Sequence, residues 1–382
     1  MPHILRKVFP VLSLSIFSAT LGLGIIAPLL PLYAEGLGAT SIWLGIIFAS
    51  FSVSRAVVIP IAGKVSDRRG RKRFLAIGLL AYTVISFGYM WAGNVAGLTL
   101  VRLLHGVASG MVMPIAQAYV GDVVPEGEEG KWMGYFNSAF FAGVGCGPLL
   151  GGILAEHLGM NAAFYTMGGL SLLAFLGVVL FLPEISTRQK AIGPSSSFKE
   201  IATSGTVRGL FSFRVGIASA RGILMTFLPV FAGMYLGLSL SLIGVLLAVQ
   251  ILGSSLLQIP SGSIADRLNR RGLVVLGCFI YLTAVALVPS TTNFWSLFAL
   301  SVMVSLGDAA ALPAASAMTI QEGKKYGMGM AMAMFNMAFS IGMALGPFLA
   351  GILADLSNSS YVFYFAAAIM VAGVSLFSWF TR

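Results

Sequence analysis

Apolar residues run through this chain in long blocks separated by short polar breaks. A helix needs about 20 apolar residues in succession to cross a bilayer. Blocks of that kind are read near residues 8–33, 41–63, 74–93, 95–121, 132–155, 161–183, 209–234, 241–263, 273–290, 293–320, 328–354 and 359–380. They predict twelve spans. The longest polar break, 184–207, mixes Pro, Gly, Ser and charged residues and is read as a linker.

Composition turns these segments into a class. Of 382 residues, 58% are apolar and only 9% are charged, whereas soluble domains carry about 25% charged residues. Mean hydropathy is +0.93. There are too few polar side chains to clothe a water-facing surface, which excludes a soluble enzyme, a disordered scaffold and a disulfide-rich secreted module. Low charge with abundant Gly suits helices packed in lipid, not a barrel whose lumen needs alternating polar residues. The two cysteines, Cys146 and Cys278, fall inside spans and are expected to be buried small hydrophobes.

The net charge of +10 would suggest nucleic acid in a soluble protein. Its placement argues for a membrane. With the amino terminus in the cytoplasm, the inner ends and loops hold nineteen Lys and Arg, the spans hold Arg55, Arg102, Arg214 and Arg221, and the outer loops hold none. That asymmetry predicts both termini on the cytoplasmic side of the plasma (inner) membrane, with basic residues facing anionic headgroups. The first span follows Arg6 and Lys7 as a secretory signal would. It is too long for a signal core and no small-residue cleavage site follows it, so it is kept as a span.

An internal repeat organises the chain. At an offset of 199 residues, Gly63 matches Gly262, Asp67-Arg68 matches Asp266-Arg267, and Arg71 matches Arg270. At the same offset Pro114 matches Pro313, Gly147-Pro148 matches Gly346-Pro347, and Glu156 matches Asp355. The expected domains are an N-terminal six-helix half over 1–183, a cytoplasmic linker over 184–207 and a C-terminal six-helix half over 208–382. Two parallel copies about an axis normal to the membrane leave a shared midplane cavity that rocking opens to alternate sides.

The loop Gly63-Lys64-Val65-Ser66-Asp67-Arg68-Arg69-Gly70-Arg71-Lys72-Arg73 resembles the signature loop of the major facilitator superfamily, and Asp266 sits in a degenerate second copy. The resemblance implies an all-α membrane protein of the major facilitator fold. It also implies a conformational latch from Gly63, Asp67, Arg68, Gly70 and Arg71, with Asp122 and Asp266 contributing. In that family the aspartate meets a helix amino terminus and an arginine of its own loop, which assigns Asp67 to Arg71. Span five carries Gly143, Gly147, Pro148, Gly151 and Gly152, similar to the antiporter motif of the twelve-span drug:proton antiporters. Generic close packing of small residues is the alternative reading of that stripe.

Span four contains Arg102-Leu103-Leu104-His105-Gly106, similar to the family pattern R-x-x-Q-G with His105 replacing Gln. The resemblance implicates Arg102 in proton transfer, and His105 adds a group that titrates near neutral pH. Asp308 is the one acid placed deep inside a span, and several drug exporters of this kind carry an acid in the tenth span. Asp308, Arg102 and His105 are therefore the candidate proton-coupling residues, with a structural ion pair from Asp308 to Arg55, Arg102 or Arg221 as the alternative. Arg55, Gln117, Asn137, Arg221, Gln250, Gln258 and Asn336 are candidates for the substrate cavity. The surplus of cations over acids in the spans points toward an anionic or zwitterionic substrate.

The function expected from these residues is secondary active export of a small amphipathic compound or drug, coupled to inward proton movement. A proton symporter or facilitator for a sugar or organic anion on the same fold is the nearest alternative. A transport-dead sensor is a more distant one. No P-loop, metal-ligand cluster or nucleophile elbow occurs in the sequence, so no enzymatic activity, cofactor or metal is expected. The expected partners are a small-molecule substrate, protons and membrane lipids, with no nucleic acid. The chain is expected to act as a monomer.

Overall fold

A computed structural model describes residues 2–123, 129–184, 203–326, 328–357 and 360–382. Among the described residues it is all-helical, with thirteen α-helices and no strand. They are α1 (Pro2–Ile25), α2 (Leu29–Gly36), α3 (Ser41–Arg69), α4 (Arg71–Trp91), α5 (Val95–Val123), α6 (Glu129–Leu158) and α7 (Met160–Phe181). Then come α8 (Gly205–Val230), α9 (Leu240–Arg267), α10 (Arg270–Leu287), α11 (Phe294–Tyr326), α12 (Met328–Leu356) and α13 (Tyr361–Phe380). Twelve helices are long and apolar enough to cross a membrane. Lipid offers no hydrogen bonds to the backbone, so each span must satisfy its own amides, and a helix does so within one segment.

The predicted first span, 8–33, is broken. α1 stops at Ile25, and α2 starts at Leu29 after a tight turn in which the Leu29 and Leu30 amides both donate to the Ile26 carbonyl, at 3.1 and 2.9 Å. Pro28 has no N–H to continue the α1 ladder and disfavours a helical residue before it, which explains the break. The end of the predicted linker is also helical. Ser204 caps α8 by accepting from the Val207 amide, so the helix begins at Gly205 and not at 208. The remainder of that linker, 185–202, lies outside the described residues.

The chain separates into two compact units. Unit 1 comprises Met1–Gly38, Ser50–Lys190 and Ser239–Ala248, and unit 2 comprises Ala39–Ala49, Ala191–Leu238 and Val249–Arg382. The first turns of α3 thus pack in unit 2, and those of α9 in unit 1. Within unit 1, α1 packs on α6 and α7, and α4 on α5 and α7. Within unit 2 the same plan recurs, with α8 on α12 and α13, and α10 on α11 and α13. A core of Leu12, Ile16, Leu79, Ile115, Tyr119 and Phe136 fills unit 1.

Two carboxylates fix the exchanged helix ends. In unit 2, Asp355 accepts from the Ser41 and Ile42 amides at 2.8 and 3.0 Å. In unit 1, its repeat counterpart Glu156 accepts from the Ser241 amide at 2.9 Å. Each satisfies amides at a helix start that have no partner within the helix, and a negative charge there interacts favourably with the helix dipole.

Candidate functional site

The polar interior of unit 1 is built on α3, α4 and α5. Gly106 and Gly110 let α5 lie directly on α3, because a Cβ at Gly106 would strike the Phe51 carbonyl and Ser54, and one at Gly110 would meet the Arg55 carbonyl and Val58 at 3.1 Å. Arg102 is 5% exposed and its guanidinium lies 4.3 Å from the centre of the Phe51 ring. Its Nη1 donates to the Tyr89 hydroxyl at 3.5 Å, and that hydroxyl stands 2.8 Å from His105 Nδ1. His105 is wholly buried, with the Tyr82 ring 4.5 Å away and nearly perpendicular. Tyr82 hydrogen-bonds Ser109 and lies in the field of both Arg55 and Arg102. Arg102 and His105, expected from the span-four motif, therefore lie in one cluster, completed by two tyrosines from α4.

In unit 2 the cluster has the opposite character. Asp308 on α11 is 2% exposed and forms an ion pair with Arg221 of α8. Tyr281 of α10 joins them through a hydrogen bond with Arg221. The second oxygen of Asp308, Oδ1, is buried without a hydrogen-bond partner among the described residues. Beside it, Gln250 Nε2 donates to Ser301 Oγ at 3.2 Å, and Ser305 donates to the Val249 carbonyl at 2.9 Å. Arg214 sits between the Phe335 and Phe339 rings, 4.6 Å from each, where the negative ring faces attract its charge. Of the three pairings considered for Asp308, the one with Arg221 is made.

The inner loop of unit 1 is only partly described. The side chains of Asp67 and Arg68, and of Asp266 in unit 2, lie outside the described residues. Arg71 forms an ion pair with Asp122 at the inner end of α5. Gly70 adopts φ +94°, in the left-handed region that disfavours side chains, and a Cβ there would collide with the Glu184 carboxylate. Ser66 is buried and donates to the Gly63 carbonyl at 2.8 Å.

The antiporter-like stripe is a packing surface. Added Cβ atoms at Gly143, Gly147 and Gly151 would strike the backbone of α1 at Phe17, Gly24 and Ile25, and one at Gly152 would strike Leu240 at the start of α9. Pro148 is buried beside Gly24. The equivalent glycines Gly342, Gly346 and Gly351 of α12 meet Val215 and Ser219 of α8, and Ser41 at the start of α3, in the same way. Both repeats use the device, including the one whose motif is incomplete.

The cavity candidates are not brought together as a set. Arg55, Gln117 and Gln250 are half-buried, Arg221 is engaged by Asp308, and Asn336 is exposed. The side chains of Asn137 and Gln258 lie outside the described residues. Cys278 is buried as expected, whereas Cys146 is exposed, because the buried glycine face of α6 turns it away from α1. Sequence reasoning missed Tyr82, Tyr89, Tyr281 and the Phe pair around Arg214. Tyr82 and Tyr281 stand 199 residues apart, so the repeat carried a signal for them.

A family model described as Major Facilitator Superfamily matches residues 12–249 and 211–382. An uncharacterised MFS-type transporter of Methanocaldococcus jannaschii is 30% identical over 96% of both chains. The multidrug resistance protein MdtG of Proteus mirabilis is 29% identical over 94% of this chain and 91% of its own. A crystal structure of a bacterial homologue of the human lysosomal transporter Spinster has the same fold, with a TM-score of 0.80, 16% identity, and coverage of 100% of this chain and 97% of that one.

Proposed function

Because the chain belongs to the Major Facilitator Superfamily, we propose that it is a proton-coupled secondary transporter that exports a small amphipathic compound by alternating access. The chain is a multi-pass membrane transporter and not an enzyme. Export in place of uptake is supported by the full-length similarity to a multidrug resistance protein.

The observation that carries proton coupling is the ion pair between buried Asp308 and half-buried Arg221. Arginine holds its proton at any physiological pH, so only the carboxylate can change charge. Protonating Asp308 neutralises the partner that holds Arg221 and frees the guanidinium; losing the proton restores the pair. A buried pair that is broken leaves an uncompensated charge, which is costly enough to bias one conformation over another. Tyr281 provides a neutral partner that keeps Arg221 hydrogen-bonded in either state. The Arg71–Asp122 pair and the Asp67 loop act as the inner latch, both termini face the cytoplasm, and the chain works as a monomer.

The test is export of a fluorescent amphiphile from energised vesicles with and without a proton uncoupler. Uncoupler-sensitive efflux is the expected result. Efflux that ignores the uncoupler, or uptake with the proton gradient, overturns the reading.

A further inference from the structure

The charges in the interior of unit 1 do not balance. Arg55, Arg102 and His105 are gathered around Tyr82. The acids on the helices that hold them stand at the inner ends. Asp67 is 12 residues along α3 from Arg55, and Asp122 is 20 residues along α5 from Arg102. At about 1.5 Å per residue those separations are about 18 and 30 Å. Asp122 is moreover engaged by Arg71. The spans of α1, α4 and α7 contain no acid, and the single one in the span of α6 is Glu156 at its outer end, where it caps α9.

Hydrogen-bond direction sharpens the point. Arg102 donates to the Tyr89 oxygen, and the Tyr89 hydroxyl hydrogen-bonds His105 Nδ1. In the tautomer whose Nδ1 accepts the Tyr89 proton, Nε2 carries the ring proton. His105 Nε2 is buried without a hydrogen-bond partner among the described residues, and so is Arg55 Nε. The cluster thus presents two buried donors with no acceptor, one of them on a fixed cation. Buried polar groups of this kind call for an explanation, and a fixed charge in a lipid-surrounded interior is functional by default. A ring face such as Phe51 offsets only part of the cost of removing a guanidinium from water.

The second repeat shows that this is not a requirement of the fold. Ser254 and Ser301 stand 199 residues after Arg55 and Arg102, and Val304 after His105. Helix packing is the same in both units, so the cations are not needed to build it.

We propose that Arg55, Arg102 and His105 form the receptor for an acidic group, and that the transported compound is a carboxylate-bearing organic anion with an apolar or aromatic body. The guanidinium fork matches the two oxygens of a carboxylate, and charge-assisted bonds of this type are the strong ones. The Nε2–H of His105 supplies a neutral donor. This inference rests on the transport reading above and names its substrate class.

The experiment measures binding to the full chain in nanodiscs with three probes sharing one fluorophore: dansylglycine, its methyl ester, and a dansyl amide ending in trimethylammonium. Dansylglycine is expected to bind most tightly, about tenfold tighter than the ester, as one charge-assisted bond warrants. Arg55→Gln should remove about that tenfold advantage while leaving ester binding unchanged, and Arg55→Lys should keep most of it. Arg102→Gln is a second variant should Arg55→Gln not fold, and the wild-type ranking stands without either. Tightest binding of the trimethylammonium probe overturns the proposal. So does equal loss of acid and ester in the variants, or acid binding that ignores both substitutions. Binding that follows the expected ranking in a chain that transports downhill but cannot pump against a pH gradient sinks the proton-coupled reading and spares this one.

Discussion

The two repeats use one scaffold to hold different charges: unit 1 gathers cations, and unit 2 adds a carboxylate to its two arginines. Tyr82 and Tyr281 occupy equivalent positions, and each reaches toward the residue 27 positions further on, Ser109 in unit 1 and Asp308 in unit 2. Around Tyr82 stand two arginines and a histidine; around Tyr281 stand a carboxylate, its arginine and Cys278. Among the described residues, unit 1 leaves Arg55 Nε and His105 Nε2 without a partner, and unit 2 leaves Asp308 Oδ1 without one, in the field of Arg214. Duplication preserved the geometry while the chemistry diverged. In the proposed reading, proton binding uses the carboxylate of unit 2, whose charge can change, and anion binding uses the arginines of unit 1, whose charge is fixed.

The strongest way to break this comparison is to neutralise the acid. Asp308→Asn should reduce uphill export in reconstituted liposomes with an imposed pH gradient to background, while downhill exchange persists. His105→Gln, which keeps an acceptor and a donor at that position, should still pump. If Asp308→Asn pumps and His105→Gln does not, proton coupling belongs to unit 1.

Moving the acid across the repeat comes next. Ser109→Asp installs in unit 1 the carboxylate that unit 2 carries at the same position. It should pair with the nearby arginines and weaken dansylglycine binding about tenfold or more, the value of a charge-assisted bond. Unchanged binding would mean that the cations face something other than the ligand.

Packing should be indifferent to which repeat is altered. Gly147→Ala and Gly346→Ala each press a methyl group into backbone, of α1 and α8 respectively, that cannot swing aside. Overpacking of this kind costs about 1–3 kcal/mol, against a helix-propensity gain of at most about 1 kcal/mol. Thermal unfolding should show similar falls in Tm for both. A change in proton leak confined to Gly147→Ala would restore an antiporter-specific role to that stripe.

The smallest expected effect separates the two caps. Asp355 accepts from two amides and Glu156 from one, so Asp355→Ala should lower Tm more than Glu156→Ala. Equal falls would show that the charge, not the hydrogen-bond count, carries the contribution.

The twelve spans and the repeat were legible because their signals are local or periodic. A run of apolar residues reports its own lipid exposure, and a constant offset reports duplication without any knowledge of contacts. The burial of Asp308 and the small-residue face of α6 were legible for the same reason. The broken first span was there to be read in Pro28, whose effect depends only on its neighbours. Other features were out of reach of the linear text. Arg221 and Asp308 lie 87 residues apart, and nothing along the chain prefers that pairing to Arg55 or Arg102. Glycine spacing alone left open whether the α6 stripe was a motif or a packing seam, a question decided by the backbone of α1. The hydrogen bonds through Tyr89, and with them the setting that leaves His105 Nε2 without a partner among the described residues, exist only once α4 is laid against α5. Composition and pattern report what each segment must avoid, namely water or lipid. Which partner a buried polar group takes is set by distances between helices, and only the folded chain has those.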